Sequence, residues 1–410
     1  MSSGSTQLLG FPAVWLRHNC PCPDCRDPVT GQRLVDMARI PTGPVATVTA
    51  ESADSVEVTF APDGHRSVFS RAWLAAFALP DADAADVADA ADAADVADAA
   101  DVADVADVAD VADVADAADA ADAADARTED GKVLWRAASL AAVPAADWAG
   151  YLASDAVRAS VLDAVARYGA GLLRGVPVSA GMVTSVAETF GYVRETNYGR
   201  IFDVRVVADP ANLAFTNRAI APHTDNPYRD PVPTLQLLHC LRDASAGGDT
   251  VLVDGFAAAA ALRSCDRGSF DVLTSTPIPF AYVDKATSLT ASQPLISLSP
   301  RGRITAVRLN NRSMQPVRLP YDQAEAVYAA YRAWTAMVAR PEFALGLRLA
   351  PGDCLIFDNT RVLHARTAFA PAPSSSSGPG ERHLQGCYAD LDGLLSTLAV
   401  LRGSSPTIGG

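Results

Sequence analysis

Leu355-Ile-Phe-Asp-Asn-Thr-Arg-Val-Leu363, followed at once by His364, is an apolar run, a polar turn and the start of a return path. Such a run, bounded by turn residues, reads as a buried strand whose chain then doubles back across a sheet. The same grammar recurs upstream. Residues 234–240, 250–253, 304–309 and 353–357 are apolar or alternating runs between glycine, proline and aspartate. Ahead of them, residues 145–168 carry an amphipathic helical pattern that runs through a Gly-rich turn into an apolar strand at 169–173. Residues 180–190 read as a second helix. Tyr321–Val338 is a third, with Val327, Tyr331, Trp334 and Val338 on one stripe. The chain therefore predicts a mixed α+β fold, mainly β, built as a β-sandwich with flanking helices.

The return path would set His364 at a mouth of the sandwich. His223-Thr224-Asp225 lies between two loops and would reach the same mouth. Taken singly, His364 is a core histidine and Asp225 a turn cap. Taken together they form two imidazoles and a carboxylate, a set that suits Fe(II) and leaves positions open for a bidentate keto acid and dioxygen. Arg382, in Arg382-His383, could grip the far carboxylate of that acid through a bidentate fork. Arg366 is a nearer rival in sequence. No Gly-x-Ser-x-Gly, Walker loop or Gly-x-Gly-x-x-Gly is present, so neither that hydrolase motif nor nucleotide chemistry has support.

Cys20-Pro-Cys-Pro-Asp-Cys25 supplies three thiols in a small N-terminal unit. That unit has strand candidates at 56–60 and 67–69 around a Pro62-Asp63-Gly64 turn. A fourth ligand, His65 or alternatively His18, would complete a closed tetrahedral zinc site. Its role would be structural, because small units gain folding energy from a bound metal. With His223 and His364 assigned to iron and His65 to zinc, His18, His239 and His383 remain as bystanders.

The chain has 410 residues and a formal net charge of −15. Residues 81–126 are an Ala-Asp-Val and Ala-Asp-Ala triplet array with 16 aspartates and no basic residue. Without it, 33 basic residues face 32 acidic ones, so the remainder is nearly neutral. A period of three drifts around a helix and makes no apolar face, so the array is expected to be a linker. The expected organisation is a zinc-binding unit at 1–79, a linker at 80–127, a catalytic domain at 128–403 and a tail at 404–410. The absence of a long apolar run or a secretion signal, together with cysteine usage, leads to an expected cytoplasmic location. Neither nucleic acid nor a membrane is expected as a partner.

The chain resembles gamma-butyrobetaine dioxygenases, among the taurine dioxygenase-like Fe(II)/2-oxoglutarate enzymes. Trp15-Leu-Arg-His-Asn-Cys-Pro-Cys-Pro-Asp-Cys25 with His65 is similar to that family's zinc unit. His223-Thr-Asp-Asn-Pro-Tyr228, Gln236-Leu-Leu-His-Cys240, Gly247-Gly-Asp-Thr-Val-Leu-Val-Asp-Gly-Phe256, Phe357-Asp-Asn359 and Gln385-Gly-Cys-Tyr-Ala-Asp390 are similar to its catalytic domain. The resemblance implies a double-stranded β-helix, or jelly roll, with iron on His223, Asp225 and His364 and zinc on Cys20, Cys22, Cys25 and His65. It implies that Arg382 and Thr250 contact 2-oxoglutarate. It also implies a trimethylammonium cage of Tyr198, Phe202, Phe215 and Tyr388, in which cation–π attraction acts. Asn212 and Asn310 would hold the substrate carboxylate. Dioxygen as co-substrate, ascorbate as reductant and a homodimer are further implications.

Arg312, two residues past Asn310, is a fixed cation that would suit an anion of higher charge. That makes 2-(trimethylamino)ethylphosphonate the alternative to gamma-butyrobetaine. A non-catalytic metal or ligand sensor, and metal-assisted hydrolysis, are the readings from other classes.

Overall fold

The computed structural model of the protein describes residues 10–80, 131–206, 216–243, 246–369 and 382–403. The triplet array, the tail, Asn212 and Phe215 lie outside the described residues.

The N-terminal unit contains a short helix, Ala13–His18, and an antiparallel meander of β1 (Val45–Glu51), β2 (Ser55–Ala61) and β3 (Arg66–Ser70). Alternation in β2 buries Val56, Val58 and Phe60 on one face. That face does not close on itself. Trp15, Leu16, Val35 and Met37 join one continuous apolar cluster with Tyr328, Tyr331 and Trp334 of the helix Tyr321–Val338. The Trp15 indole N–H donates to the Val317 carbonyl at 2.9 Å. Arg33, fully buried, donates to the Asn311 carbonyl at 2.6 Å and the Met314 carbonyl at 3.1 Å.

Beyond residue 131 the strands are β4 (Ala145–Asp147), β5 (Ala170–Arg174), β6 (Phe202–Val204), β7 (Ile220–His223), β8 (Leu235–Arg242) and β9 (Thr250–Asp254). Two hairpins follow, β10 (Ile278–Val283) with β11 (Ser288–Gln293) and β12 (Ile296–Leu298) with β13 (Ile304–Val307). The last strands are β14 (Ala344–Leu347), β15 (Cys354–Asp358), β16 (Val362–Arg366) and β17 (His383–Ala389). They form a six-stranded sheet, β4-β5-β15-β8-β17-β6, and a four-stranded sheet, β14-β9-β16-β7. Leu172, Leu238, Leu355, Phe357 and Leu384 of the first meet Leu252, Leu345 and Val362 of the second in one buried cluster. The outer face of the larger sheet is covered by the helices Asp155–Tyr168, Met182–Ala187 and Leu391–Leu401.

The turn after β15 hands the chain from one sheet to the other. The Asp358 carboxylate takes the Thr360 backbone N–H at 2.9 Å and its hydroxyl at 2.6 Å, fixing that corner. Arg361 then forks onto Asp254, with Nε to Oδ1 at 3.0 Å and Nη2 to Oδ2 at 2.7 Å. Both side chains are wholly buried. Asp254 also accepts the backbone N–H of Trp135, and Arg361 reaches the carbonyls of Val133 and Arg167, so four segments converge on this pair.

Three sequence expectations are corrected. The single helix at 145–168 is instead strand β4, paired in parallel with β5, and two helices, Trp148–Ala153 and Asp155–Tyr168. Asp147 and Ser154 cap the two N-termini, so local capping overrides the continuous pattern. The helix at 180–190 is only Met182–Ala187, starting after Gly181 at φ 90°. The strand at 304–309 stops at Val307 and belongs to a hairpin outside the sandwich, because Leu309 bonds to Thr224 instead.

Candidate active site

β7 and β16 pair antiparallel with His223 directly opposite His364. β7 is an edge strand, which is why it tolerates Pro222. The two imidazole centroids lie 4.1 Å apart. Asp225 follows two residues after His223 in a loop that other groups clamp. Asn359 accepts the Asp225 backbone N–H at 2.7 Å and donates to the Asp225 carbonyl at 3.0 Å. Thr224 is held by the Leu309 carbonyl at 2.8 Å and by the Asn310 amide at 3.0 Å. Asn226 takes the left-handed conformation, φ 57°, and turns the chain away.

The donor set fits a divalent metal. His223 Nδ1–H donates to the Ala221 carbonyl at 2.9 Å, which leaves its Nε2 lone pair facing Asp225 at 3.4 Å. His364 Nε2 is 3.9 Å from the second Asp225 oxygen, and its buried Nδ1 has no hydrogen-bond partner among the described residues. Burial, reinforced by the Arg312 charge, lowers the basicity of His223; burial and the charge of His223 bring His364 down to about 3. Burial opposes ionisation of Asp225, but its two imidazole neighbours and the Arg312 charge outweigh it and hold the carboxyl well below its ordinary range. Two neutral imidazoles and one carboxylate are the ligands a facial iron site requires. The Tyr388 hydroxyl donates to Asp225 Oδ2 at 3.0 Å and steadies the carboxylate.

The triad opens into a cavity of about 340 Å³. Thr250, Arg366 and Arg382 also line it, and Thr250 is the register partner of Arg366. Arg366 donates to the Thr216 and Arg218 carbonyls at 2.6 and 2.8 Å, so part of its fork holds a loop. Arg382, buried over the Phe369 ring and brought down to about 10 by burial, makes no hydrogen bond with the described residues. A Cβ on Gly248 would sit 2.9 Å from the Arg382 side chain, so glycine leaves the stem its path.

Aromatic rings form another wall. Phe202 stacks on Tyr388 at 5.0 Å between centroids, and Tyr198 lies 6.3 Å from Phe202. Sequence reading missed Tyr228 and Tyr282. Their rings stack at 5.2 Å, Tyr282 meets Tyr198 edge-on at 5.6 Å, and the Tyr198 and Tyr228 hydroxyls are 2.9 Å apart. Tyr228 is in the quoted His223–Tyr228 stretch, so the Asn226-Pro227 turn was the available signal. Asn310 and Arg312 line the cavity too. The Asn310 amide N–H is spent on Thr224, while its buried oxygen has no partner among the described residues. The N-terminal unit contributes Arg26, Thr30, Gly31 and Gln32, which no sequence signal had indicated.

Cys20, Cys22, Cys25 and His65 converge as a second group. His65 Nε2 is 3.2, 3.6 and 3.5 Å from the three sulfurs in that order, the spacing around one tetrahedral zinc. Ser67 donates to Cys20 Sγ at 2.7 Å and Arg17 to Cys25 Sγ at 3.2 Å. His18 is not part of this group; its ring bonds to Asn311 at 2.8 Å. His383 pairs with Asp203, and His239 is buried in the larger sheet.

The sequence matches the family described as Taurine catabolism dioxygenase TauD, TfdA family over residues 136–388. It matches Gamma-butyrobetaine hydroxylase-like, N-terminal over residues 4–75. Gamma-butyrobetaine dioxygenase of Pseudomonas sp. (strain AK-1) is 33% identical over 392 residues, 96% of this chain and 90% of that protein. Dioxygenase str8 of Strobilurus tenacellus is 28% identical, covering 96% of this chain and 85% of its own. Mitochondrial trimethyllysine dioxygenase of Rattus norvegicus is 26% identical, with 97% and 84% covered. No helix among the described residues is long and apolar enough to cross a membrane. Two family matches that together span both candidate metal-ligand groups, and a relative one-third identical along nearly the whole length, lead to one conclusion: the chain belongs to the gamma-butyrobetaine dioxygenase family of TauD-like, 2-oxoglutarate-dependent dioxygenases.

Proposed function

We propose that this enzyme hydroxylates a trimethylammonium compound, and that gamma-butyrobetaine, giving L-carnitine, is its substrate. The observation that carries the reading is the aromatic wall of Tyr198, Phe202, Tyr228, Tyr282 and Tyr388 in the same cavity as His223, Asp225 and His364. Ring faces attract a quaternary ammonium that has no hydrogen to donate. Two of the relatives bear names with trimethylammonium substrates, which supports the same class.

In this proposal His223, Asp225 and His364 hold iron, and Arg382 with Thr250 holds the far carboxylate of 2-oxoglutarate. Iron and 2-oxoglutarate, when bound, supply oxygen activation coupled to decarboxylation to succinate and carbon dioxide. The chain's own work is placement. Tyr388 braces the Asp225 carboxylate and stacks on Phe202, so one side chain links the metal ligands to the ammonium wall. Misplacing the target carbon by ~1 Å can cost around 100-fold in rate. Cys20, Cys22, Cys25 and His65 hold structural zinc; Asn212, Asn310 and Phe215 complete the substrate contacts; ascorbate keeps the iron reduced. The two facing sheets are read as a jelly roll, the four segments keep the bounds given above, and the assembly is a homodimer. The free cysteines fit a reducing, cytoplasmic setting.

A second reading is favoured by Arg312, a guanidinium in the cavity two residues from Asn310. It suits 2-(trimethylamino)ethylphosphonate. Succinate and hydroxylated product are to be quantified with both compounds, under oxygen, with Fe(II), 2-oxoglutarate and ascorbate. Preference for gamma-butyrobetaine supports the first reading, preference for the phosphonate the second, and succinate from neither removes both. Arg312→Ala is expected to cut phosphonate turnover at least about tenfold more than carboxylate turnover; equal losses would remove its charge from substrate selection.

Gly386 faces Phe202 across the β17–β6 ladder, and a Cβ there would lie 2.3 Å from the ring edge. Gly386→Ala should push that ring into the cavity and raise the substrate KM about tenfold with iron content unchanged. An unaltered KM would place the ammonium group elsewhere.

A further inference from the structure

The hairpin 26–33 is tied at one end to the zinc-ligand group and at the other to the catalytic unit. Its base is Cys25 itself. The backbone N–H of Arg26 donates to the Cys22 carbonyl at 2.9 Å, and that of Leu34 to the Cys25 carbonyl at 2.8 Å. Asp27 organises the tip by accepting the Thr30 N–H at 2.8 Å and the Thr30 hydroxyl at 2.9 Å. Arg26 closes it by donating to the Gly31 carbonyl at 2.9 Å. On its return strand, beside Arg26, Arg33 is bonded to the carbonyls of Asn311 and Met314, which flank Arg312 and Ser313. The hairpin is thus rigid within itself, and its placement depends on its two anchors. Arg26, Thr30, Gly31 and Gln32 line the cavity that His223, Asp225 and His364 also line.

We infer that this hairpin is a wall of the substrate cavity held in place by the Cys/His group, so that the N-terminal unit sets substrate affinity, with Arg26 and Gln32 as positioning residues. The inference rests on reading the cavity as the site of the trimethylammonium substrate. It gives the zinc site a task in recognition although none of Cys20, Cys22, Cys25 and His65 lines this cavity.

The test uses the full-length, metal-loaded enzyme. KM and kcat for gamma-butyrobetaine and for 2-(trimethylamino)ethylphosphonate, and zinc content, are measured for the parent, Arg26→Ala, Arg26→Lys, Gln32→Ala and Cys22→Ser. Hydrogen exchange of peptide 26–33 is followed in each, with and without substrate. Arg26→Ala and Gln32→Ala should raise substrate KM about tenfold, with kcat, the KM for 2-oxoglutarate and zinc content within about twofold of the parent. Arg26→Lys should recover part of the loss. Cys22→Ser should lose zinc and exchange faster at 26–33, while Leu235–Arg242 stays protected. Unchanged KM in both alanine variants, or exchange at 26–33 indifferent to zinc loss, overturns the inference. If Cys22→Ser does not fold, the alanine variants decide. If the parent turns over neither compound, the functional reading fails instead, and exchange at 26–33 in Cys22→Ser still decides whether the cluster positions the wall.

Discussion

His364→Ala is expected to lower succinate formation at least about a thousandfold, equivalent to about 4 kcal/mol of transition-state stabilisation, while zinc stays bound at full stoichiometry. His364 is centred opposite His223 in the β7–β16 pairing, so no neighbouring imidazole among the described residues can replace it. The Arg366–Thr250 register and the buried Leu363 keep the strand in place, so the loss is local. Iron content and succinate should fall together while the far-ultraviolet spectrum stays as in the parent. Retained turnover would remove His364 from the metal set, and lost zinc would mean that the two metal groups are not independent.

Asp254→Ala should destabilise the fold by about 3–5 kcal/mol, lowering Tm by roughly 10 °C. The reason is what remains behind. Arg361 would keep its carbonyl bonds to Val133 and Arg167 but lose its only carboxylate partner among the described residues, at zero exposure, under the Phe256 ring. The Trp135 N–H would lose its acceptor as well. Replacing both charges, as in Asp254→Leu with Arg361→Met, should recover much of the loss, because no charge is then stranded. Thermal unfolding of the single and double variants checks this; equal Tm values in parent and single variant would show that the pair contributes nothing.

The convergence of the candidate metal ligands was legible because their residue types are scarce and their chemistry is narrow. His223, Asp225 and His364 need only be brought together, and the strand pattern around 355–364 indicated how. The helix Tyr321–Val338 was legible from its stripe. The broken helix at 145–168 was not, because the pattern stays amphipathic across Asp147 and Ser154 while the caps decide the outcome locally. Strands β7, β14 and β17 were missed as strands, since a proline edge, a glycine-bearing tetrad and a mixed motif carry little alternation. The aromatic wall was only partly legible. Tyr282 arrives from a hairpin outside the sandwich, and Arg26 and Gln32 arrive from a unit almost 200 residues before His223 in the chain. Such neighbours are created by docking, not by local periodicity.

Trp15, Arg33 and the Tyr328–Trp334 face fix the N-terminal unit on the catalytic unit by direct contact. The length of chain joining residues 80 and 131 therefore sets a closure entropy. That cost grows logarithmically, by about 0.6 kcal/mol for each doubling of the loop. Half a dozen triplets gained or lost in 81–126 would change that cost by roughly 0.4 kcal/mol, less than one ordinary hydrogen bond. In-frame expansion and contraction of such a repeat is thus nearly silent to selection for stability, and descendants of this chain can differ widely in overall length while keeping the same cavity.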